Sequence, residues 1–390
     1  MILNDSSMFI GIMSGTSADG IDIAIVRIGD APDGAVELIQ FSEYPMPEEL
    51  RGSILSLAEP GINEVDRMGE LDRALGQAYA DTVLAAIHGV GLKADDISAI
   101  GCHGQTIRHR PKAGHPFTLQ IGCSATVSEY TGITTVSDFR SRDIAAGGEG
   151  APLVPFSHRR LFAHEQKNIA VINIGGIANV TWLGNDGSTI GFDTGPGNMI
   201  MDGLMLAFSD GRNTFDQNGA LAASGTVCHP LLEKLMQHPF LQRKPPKSTG
   251  REEFGEAMVH LILEWPDIPD ADRMATACQF TADSIENSIG FMPIEPAKWL
   301  VCGGGTRNRH LMNLLTEKFA PAPVKTTEVE DVPPQAVEAV CFAVLAKQAL
   351  MGGTNTISEV TGARHNVCGG QITPGNNWAE LLQSIPAWIR

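Results

Sequence analysis

Alternating apolar and polar positions near the start of the chain predict a β-hairpin. Residues 8–29 are typical of two strands on either side of a turn rich in small residues, and Ile21, Ile23 and Ile25 supply one buried face. Residues 168–183 repeat this layout of buried strand, small-residue turn and alternating strand. The repeat predicts a duplicated α/β domain with a cleft between the copies, where small ligands usually bind.

Helical periodicity and glycine clusters organise the rest of the chain. Residues 63–90 carry apolar side chains at the spacing of one helix face, and about 256–290 predict a long helical region. Residues 299–312 indicate a buried strand, three glycines and the start of a helix. Residues 333–350 predict a strong helix that begins at prolines and ends before two glycines. The tail, 354–390, has only weak periodicity.

Composition and charge narrow the class of protein. The 390 residues are 43% hydrophobic and 19% charged, which provides a large core, and the length predicts two domains. With 45 acidic and 28 basic side chains, the net charge of −17 argues against a nucleic-acid partner. The first 15 residues lack Lys and Arg, no apolar run is long enough to span a bilayer, and the seven cysteines have no C-x-x-C spacing. We therefore expect a soluble, cytoplasmic protein with no membrane partner and reduced thiols.

Three glycine-rich turns are candidate contacts for a nucleotide. Glycine lets backbone N–H groups converge on an anion. The first turn comprises Gly15, Thr16, Ser17, Ala18, Asp19, Gly20, Ile21 and Asp22. Gly175 and Gly176 form the second turn, and Gly303, Gly304 and Gly305 the third, where a strand meets a helix. Asp19 and Asp22 are candidate ligands of Mg²⁺. Taken singly, each turn also fits an ordinary tight turn.

Three polar side chains are candidates for chemistry. Asp193 lies in GFDTGPGN, which predicts a carboxylate at the end of a strand inside a glycine-rich turn, either as a base or as the cap of its own loop. Arg140 is suited to binding a substrate carboxylate, although its neighbours also fit an exposed ladder of ion pairs. His103, with Gln105, is either a sugar ligand or a structural residue. The chain lacks the signatures of P-loop NTPases, dinucleotide dehydrogenases and α/β-hydrolases.

Several segments, in order, resemble the anhydro-N-acetylmuramic acid kinase family. They include GTSADG, GCHGQT, VSDFRSRD, GFDTGPGN and PPKSTGRE, and the resemblance runs from residue 8 to about 375. It implies an α/β, two-lobed fold of the actin/hexokinase/Hsp70 type, built from duplicated ribonuclease-H-like domains around an interdomain cleft. We expect an N-terminal lobe over 1–145 and a C-terminal lobe over 146–390, with a C-terminal segment that packs back on the first lobe as the open alternative.

The resemblance also implies an activity. The family uses ATP and Mg²⁺ to convert 1,6-anhydro-N-acetylmuramic acid and water to N-acetylmuramic acid 6-phosphate in cell-wall recycling, typically as a homodimer. The alternatives left open are a hexosamine kinase of the same fold without bridge hydrolysis and a non-catalytic ATP-binding module that senses sugar.

The family's functional residues match named positions here. Asp193 matches the base, Gly15–Asp22 the loop that binds the ATP phosphates, and Gly303–Gly305 the adenosine side. By the same resemblance, Arg140, Glu338 and His103 bind the sugar, with Arg140 at the lactyl carboxylate. Two positions depart from the family pattern: Ala18 replaces a larger apolar residue, and Glu149 replaces a common Gln.

Overall fold

A computed structural model of the chain describes residues 6–15, 17–31 and 34–389, with side chains described as far as 385. The strands are β1 Ser6–Met13, β2 Gly20–Gly29, β3 Val36–Pro45, β4 Ile97–Cys102, β5 Gln105–Arg110, β6 Phe117–Ile121, β7 Thr135–Ser137, β8 Ile169–Ile174, β9 Ile177–Leu183, β10 Thr189–Pro196, β11 Lys298–Cys302, β12 Val324–Thr326 and β13 Gln371–Thr373. The α-helices are α1 Glu48–Ala58, α2 Glu64–Gly89, α3 Ser124–Thr131, α4 Ser141–Ala145, α5 Val154–Phe162, α6 Met199–Phe208, α7 Ala220–Ser224, α8 His229–Met236, α9 Pro239–Gln242, α10 Arg251–Phe254, α11 Glu256–Leu263, α12 Asp270–Glu286, α13 Arg309–Lys318, α14 Val337–Leu350, α15 Ser358–Thr361 and α16 Trp378–Ile389. Short 3₁₀ turns occupy Ala94–Asp96, Gln217–Gly219, Asn287–Phe291, Gly304–Arg307 and Thr327–Glu330.

The chain forms two compact units whose boundaries differ from the predicted lobes. The first unit takes the described residues up to Leu161 and from Ala336 onward, and the second runs from Phe162 to Gln335. The predicted division at 145/146 therefore falls inside the first unit. Residues before Leu161 stay there because α5 binds α14, with Ser157 Oγ donating to the Cys341 carbonyl at 3.2 Å.

The first unit is built on a six-stranded sheet of order β13-β7-β4-β1-β2-β3. Strands β1, β2 and β3 are successive antiparallel neighbours, whereas β4 runs parallel to β1, and β7 runs parallel to β4. Apolar side chains of β1 and β2, including Ile10, Ile12 and Ile23, join α2 residues such as Tyr79 in one core. The period-two pattern of residues 8–29 thus forms the predicted hairpin.

The second unit repeats that topology. Its sheet has the order β10-β9-β8-β11-β12, with three antiparallel strands followed by two parallel ones. Both sheets share the order 3-2-1-4-5, to which the first adds β13 at its edge. The prediction of an α/β fold with duplicated ribonuclease-H-like domains is confirmed.

The helix predictions are confirmed in part. Helix α2 matches the prediction for 63–90, and α14 ends before the two glycines as expected. The helical region predicted over about 256–290 comprises two helices, because α11 ends at Leu263 and α12 begins at Asp270. Pro266 and Pro269 lie in the break, where the missing N–H groups and fixed backbone angles of proline interrupt a helix.

Helix α14 covers the first sheet at unusually short range. A Cβ on Gly11 of β1 would overlap the Ala339 carbonyl, and a Cβ on Gly101 of β4 would lie 2.7 Å from the Phe342 carbonyl carbon. Only a residue without a side chain permits this approach. No helix within the described part of the chain is long and apolar enough to cross a membrane.

Candidate active site

The turn of the first hairpin is braced by Gln105, a side chain from another element. Ser14 Oγ donates to Gln105 Oε1 at 2.7 Å, and Gln105 Nε2 donates to the Gly15 carbonyl at 3.0 Å. Gln105 is 1% exposed, so both ends of its amide are committed to the turn. Of the two roles that the sequence left open for Gln105, the structure therefore supports the structural one.

The residues of this turn differ in their access to solvent. Ala18 is buried at φ 51° and its N–H donates to the Gly15 carbonyl at 3.1 Å, whereas Ser17 and Asp19 are exposed. Gly20, Ile21 and Asp22 begin β2, with Asp22 half-buried opposite Met13. The predicted contact at Thr16 lies outside the described residues.

Asp19 fits a magnesium ion that keeps most of its water. Its carboxylate is exposed and accepts a hydrogen bond from Ser17 Oγ at 2.7 Å. Among the described residues no group of three or more His, Cys, Asp or Glu side chains is arranged to hold a metal ion. Mg²⁺ on nucleotides usually takes only one or two protein carboxylates together with phosphates and water, so the exposed carboxylate suits that role.

Arg140 and His103 form a paired cation and acceptor in the first unit. Arg140 Nε and Nη2 lie 3.2 and 2.9 Å from His103 Nε2, and Nη1 donates to the Gly150 carbonyl at 2.8 Å. Burial and the adjacent guanidinium lower the pKa of His103 to about 3, so the ring is neutral and its Nε2 accepts. His103 therefore orients Arg140 without competing for an anion.

Two carboxylates, Asp143 and Glu149, follow Arg140 along the chain and have different surroundings. Asp143 is fully buried, accepting from Gly150 N at 2.8 Å and Thr361 Oγ1 at 2.7 Å, and burial raises its pKa. Asp143 therefore holds the loop that carries Glu149. Glu149 is half-buried and lies 3.4 Å from Lys112 Nζ. The carboxylate of Glu149 is thus paired with a lysine.

The first unit also contains an open pocket of about 230 Å³ that is lined in part by His103. Its lining also includes Gly104, Gln120, Gly122 and Ser124. Glu338 belongs to the same unit and lies half-buried in the first turn of α14, where its carboxylate adds to the rise that burial causes in the pKa of the Cys341 thiol.

Asp193 lies within β10 and not in a turn after it, which corrects the sequence-based placement. The strand continues to Pro196, with a register shift between Asp193 and Gly195. The Asp193 N–H donates to the Lys247 carbonyl at 3.1 Å, and the Thr249 N–H donates to Asp193 Oδ2 at 2.9 Å. Both the backbone and the carboxylate of Asp193 are therefore fixed by one short segment.

A row of polar side chains crosses the second sheet beside Asp193. Asn173 of β8 pairs with Asn179 of β9, which pairs with Asp193 of β10, so the three side chains project from the same face. The Oδ1 atoms of Asn173 and Asn179 are buried with no hydrogen-bond partner in the described chain. Buried acceptors are nearly always satisfied, so this row is a candidate contact for a bound group that donates hydrogen bonds.

The second and third glycine turns meet in the second unit. The N–H groups of Gly197 and Asn198 donate to the carbonyls of Gly176 and Gly175 at 2.9 and 2.8 Å, which joins the β8–β9 turn to the end of β10. A Cβ on Gly303 would lie 2.7 Å from the Ile174 carbonyl oxygen, and Gly303 has φ 82°. The structure thus brings Gly175, Gly176 and Gly303–Gly305 together.

Lys247 and Thr249 are neighbours of Asp193 that the sequence analysis did not single out as site residues. Both lie in PPKSTGRE, which entered only as part of the family resemblance. Lys247 is 5% exposed, and its Nζ lies 4.7 Å from the ring centroids of both Phe240 and Phe291. The signal available in the sequence was a lysine and two hydroxyl residues in a polar loop.

Comparison with known proteins decides the family. Residues 7–375 match the family model described as anhydro-N-acetylmuramic acid kinase. The chain belongs to the anhydro-N-acetylmuramic acid kinase family. The protein of that name from Coxiella burnetii (strain Dugway 5J108-111) is 42% identical over 372 residues, covering 95% of this chain and 98% of the relative. The one from Idiomarina loihiensis is 43% identical over 359 residues, covering 92% and 96%.

Membership of this family confirms the predicted kinase assignment. Among solved structures, a ROK family glucokinase from Streptomyces griseus aligns at 14% identity with a TM-score of 0.40, covering 88% of this chain and all of that chain. So low a TM-score bears on neither fold nor function, which rest on the strand order and on the family match.

Proposed function

We propose that the protein is an ATP-dependent kinase that converts 1,6-anhydro-N-acetylmuramic acid and water to N-acetylmuramic acid 6-phosphate and ADP. The observation that carries the proposal is the Asp193 carboxylate, held by the Thr249 N–H at 2.9 Å inside the GFDTGPGN segment that matches the family's base. A base in a fixed position is what the opening of the 1,6-anhydro bridge by water requires.

Asp193 takes the proton from the attacking water in this mechanism. The water oxygen bonds to the anomeric carbon from the face opposite the bridge, as in an inverting glycosidase. The bond between the anomeric carbon and O6 breaks, and O6 takes the γ-phosphoryl group of ATP. The phosphoryl group thus replaces the acid proton that a glycosidase would deliver to the leaving oxygen.

Arg140 binds the lactyl carboxylate of the sugar, with His103 holding the guanidinium in place. His103 suits this role because its ring is neutral and its Nε2 accepts from Arg140 at 2.9 Å. Glu338, in the first turn of α14, is proposed as a second contact with the sugar.

The proposed ATP contacts are the three glycine turns. Gly15–Asp22, Gly175 and Gly176 bind the phosphates, while Gly303–Gly305 lie against the adenosine. Asp19 or Asp22 holds Mg²⁺, which supplies charge neutralisation on the phosphates.

The proposed reaction takes place in the cytoplasm. All seven cysteines are free thiols, which fits the reducing cytoplasm where ATP is available. We place the reaction in peptidoglycan recycling and expect a homodimer, which sedimentation of the purified protein tests.

The test is mass spectrometry of 1,6-anhydro-N-acetylmuramic acid incubated with the protein, MgATP and ¹⁸O-labelled water. The expected product carries one phosphate and one ¹⁸O at the anomeric position. Phosphorylation of N-acetylmuramic acid or another hexosamine, with no product from the anhydro sugar, would favour the kinase without bridge hydrolysis. No phosphorylated sugar at all would refute both kinases.

Asp193→Asn tests the proposed base. We expect kcat to fall at least about 100-fold with KM for ATP nearly unchanged, because general-base catalysis typically contributes that much. Asp210→Asn is the matched control, since Asp210 is an exposed residue of the same unit whose φ of 52° asparagine tolerates. Full activity of Asp193→Asn would remove the assigned role.

A further inference from the structure

The segment 247–249 follows the outer side of β10, the edge strand of the second sheet. It accepts a hydrogen bond from the Asp193 backbone through the Lys247 carbonyl and gives one to the Asp193 carboxylate through the Thr249 N–H. A displacement of this segment would therefore move or release the carboxylate.

Lys247 is the side chain by which this segment enters the protein interior. Residues 243–250, between α9 and α10, form neither helix nor strand. The Lys247 ammonium donates to the Phe240 carbonyl at 3.4 Å and lies 4.7, 4.7 and 5.6 Å from the ring centroids of Phe240, Phe291 and Phe192. A cation held over aromatic rings away from water is attracted by the negative faces of those rings, so the three phenylalanines make a strong anchor for the ammonium.

We infer that Lys247 is a positioning residue for Asp193. The Lys247 ammonium, held in the cage of Phe192, Phe240 and Phe291, fixes the Thr249 N–H against the Asp193 carboxylate. This inference rests on the proposed function, which makes Asp193 the base. A neutral side chain of similar length would fill the cage but would lose the attraction to the rings and to the Phe240 carbonyl. Lys247 then acts on the reaction only through Asp193.

The Lys247 ammonium loses its proton at a lower pH than an ordinary lysine. Burial lowers the pKa of Lys247 to about 8. The Asp193 carboxylate opposes this shift, and the Arg243 guanidinium adds to it. Arg243 is itself paired with Glu253 at 2.9 Å. The ammonium is therefore mostly protonated at pH 7 and loses its proton as the pH rises through 8, which predicts an alkaline fall of kcat.

The test compares Lys247→Met with Lys347→Met. Lys347 is a matched control, because it is 3% exposed, donates to the Gly29 carbonyl in the first unit, and has a pKa that burial lowers to about 8. For Lys247→Met we expect kcat to fall about 10- to 100-fold, KM for ATP to stay within about twofold, and the alkaline fall near pH 8 to disappear. Lys347→Met should keep both kcat and the alkaline fall.

A second variant and a second measurement separate positioning from folding. Lys247→Arg keeps a cation that does not titrate below pH 12, so it should retain more activity than Lys247→Met and lose the alkaline fall. Amide hydrogen exchange at Asp193 and Thr249 should be faster in Lys247→Met and unchanged in Lys347→Met, whatever the substrate.

Two results would overturn the inference. One is an unchanged kcat in Lys247→Met with only a lower melting temperature, and the other is an alkaline fall that persists in Lys247→Arg. A wild-type protein inactive on the anhydro sugar would refute the proposed function instead. In that case, exchange at Asp193 and Thr249 decides on Lys247 alone, and equal exchange in both methionine variants would refute it.

Discussion

His103 and His158 are buried as neutral rings, and each makes the folded protein sensitive to acid. Burial lowers the pKa of both side chains to about 3, and Arg140 adds to the shift at His103. An imidazole in the unfolded chain binds its proton near pH 6.5. The unfolded state therefore binds more protons between about pH 6.5 and 3, so the free energy of unfolding falls as the pH falls through that window.

His158→Gln should reduce this acid sensitivity. Each such histidine contributes a slope that approaches about 1.4 kcal/mol per pH unit, and glutamine does not titrate. Urea unfolding at pH 7, 5.5 and 4.5 measures the slope, with the exposed His88→Gln as control. Equal slopes for wild type and His158→Gln would show that burial of His158 does not set the acid limit.

The turn between β11 and α13 contains one glycine that the fold requires, Gly303, and one that only a bound ligand would require, Gly304. At Gly303 the positive φ and the close Ile174 carbonyl exclude any side chain. At Gly304, which is exposed, an added Cβ would meet no atom closer than Asn198 Nδ2 at 3.8 Å. The fold therefore tolerates a methyl group at Gly304, whereas the same group would obstruct a nucleotide bound against this turn.

Gly304→Ala and Gly303→Ala should consequently behave differently. We expect Gly304→Ala to keep the wild-type melting temperature and to raise KM for ATP about tenfold, a loss of about 1.4 kcal/mol. Gly303→Ala should lower the melting temperature, because its φ is strained for any other residue. Steady-state kinetics with thermal unfolding checks both, and an unchanged KM for ATP in Gly304→Ala would place the nucleotide elsewhere.

Local elements were predictable where one pattern decides them. The hairpin at residues 8–29 follows from its alternating isoleucines, and the β11 turn from its three glycines. The Lys247 cage could not be predicted, because Phe192, Phe240 and Phe291 come from separate elements and share no spacing in the sequence. For the same reason the sequence left the role of Gln105 open, since its hydrogen-bond partner Ser14 lies 91 positions away.

The first unit is made from two distant stretches of chain, and glycines on its sheet make that possible. Periodicity identified α14 as a helix but did not identify the sheet that it covers, so the packing of a C-terminal segment on the first lobe could only be left as an open alternative. The positions that indicate this packing are Gly11 and Gly101, where any side chain would collide with the backbone of α14.

Gly101→Ala should destabilise the first unit as a whole. Overpacking of a helix against a sheet costs about 1–3 kcal/mol or more, because backbone must shift on one side. Gly114→Ala is the control, since Gly114 lies on the surface of the same unit with no atom within 4 Å of an added Cβ. Denaturant unfolding should show a lower midpoint for Gly101→Ala alone, and equal midpoints would mean that α14 yields easily.

The insertion of Phe162–Gln335 within the first unit has a consequence for synthesis on the ribosome. Chains grow at about 5–20 residues per second, so β1 and β4 wait on the order of ten seconds or more before α14 is made. By the end of that interval the whole sequence of the second unit has been made, so the unit begun first is completed last. We expect nascent chains that end before residue 336 to present the uncovered face of β1 and β4 to chaperones, and full-length chains to release them.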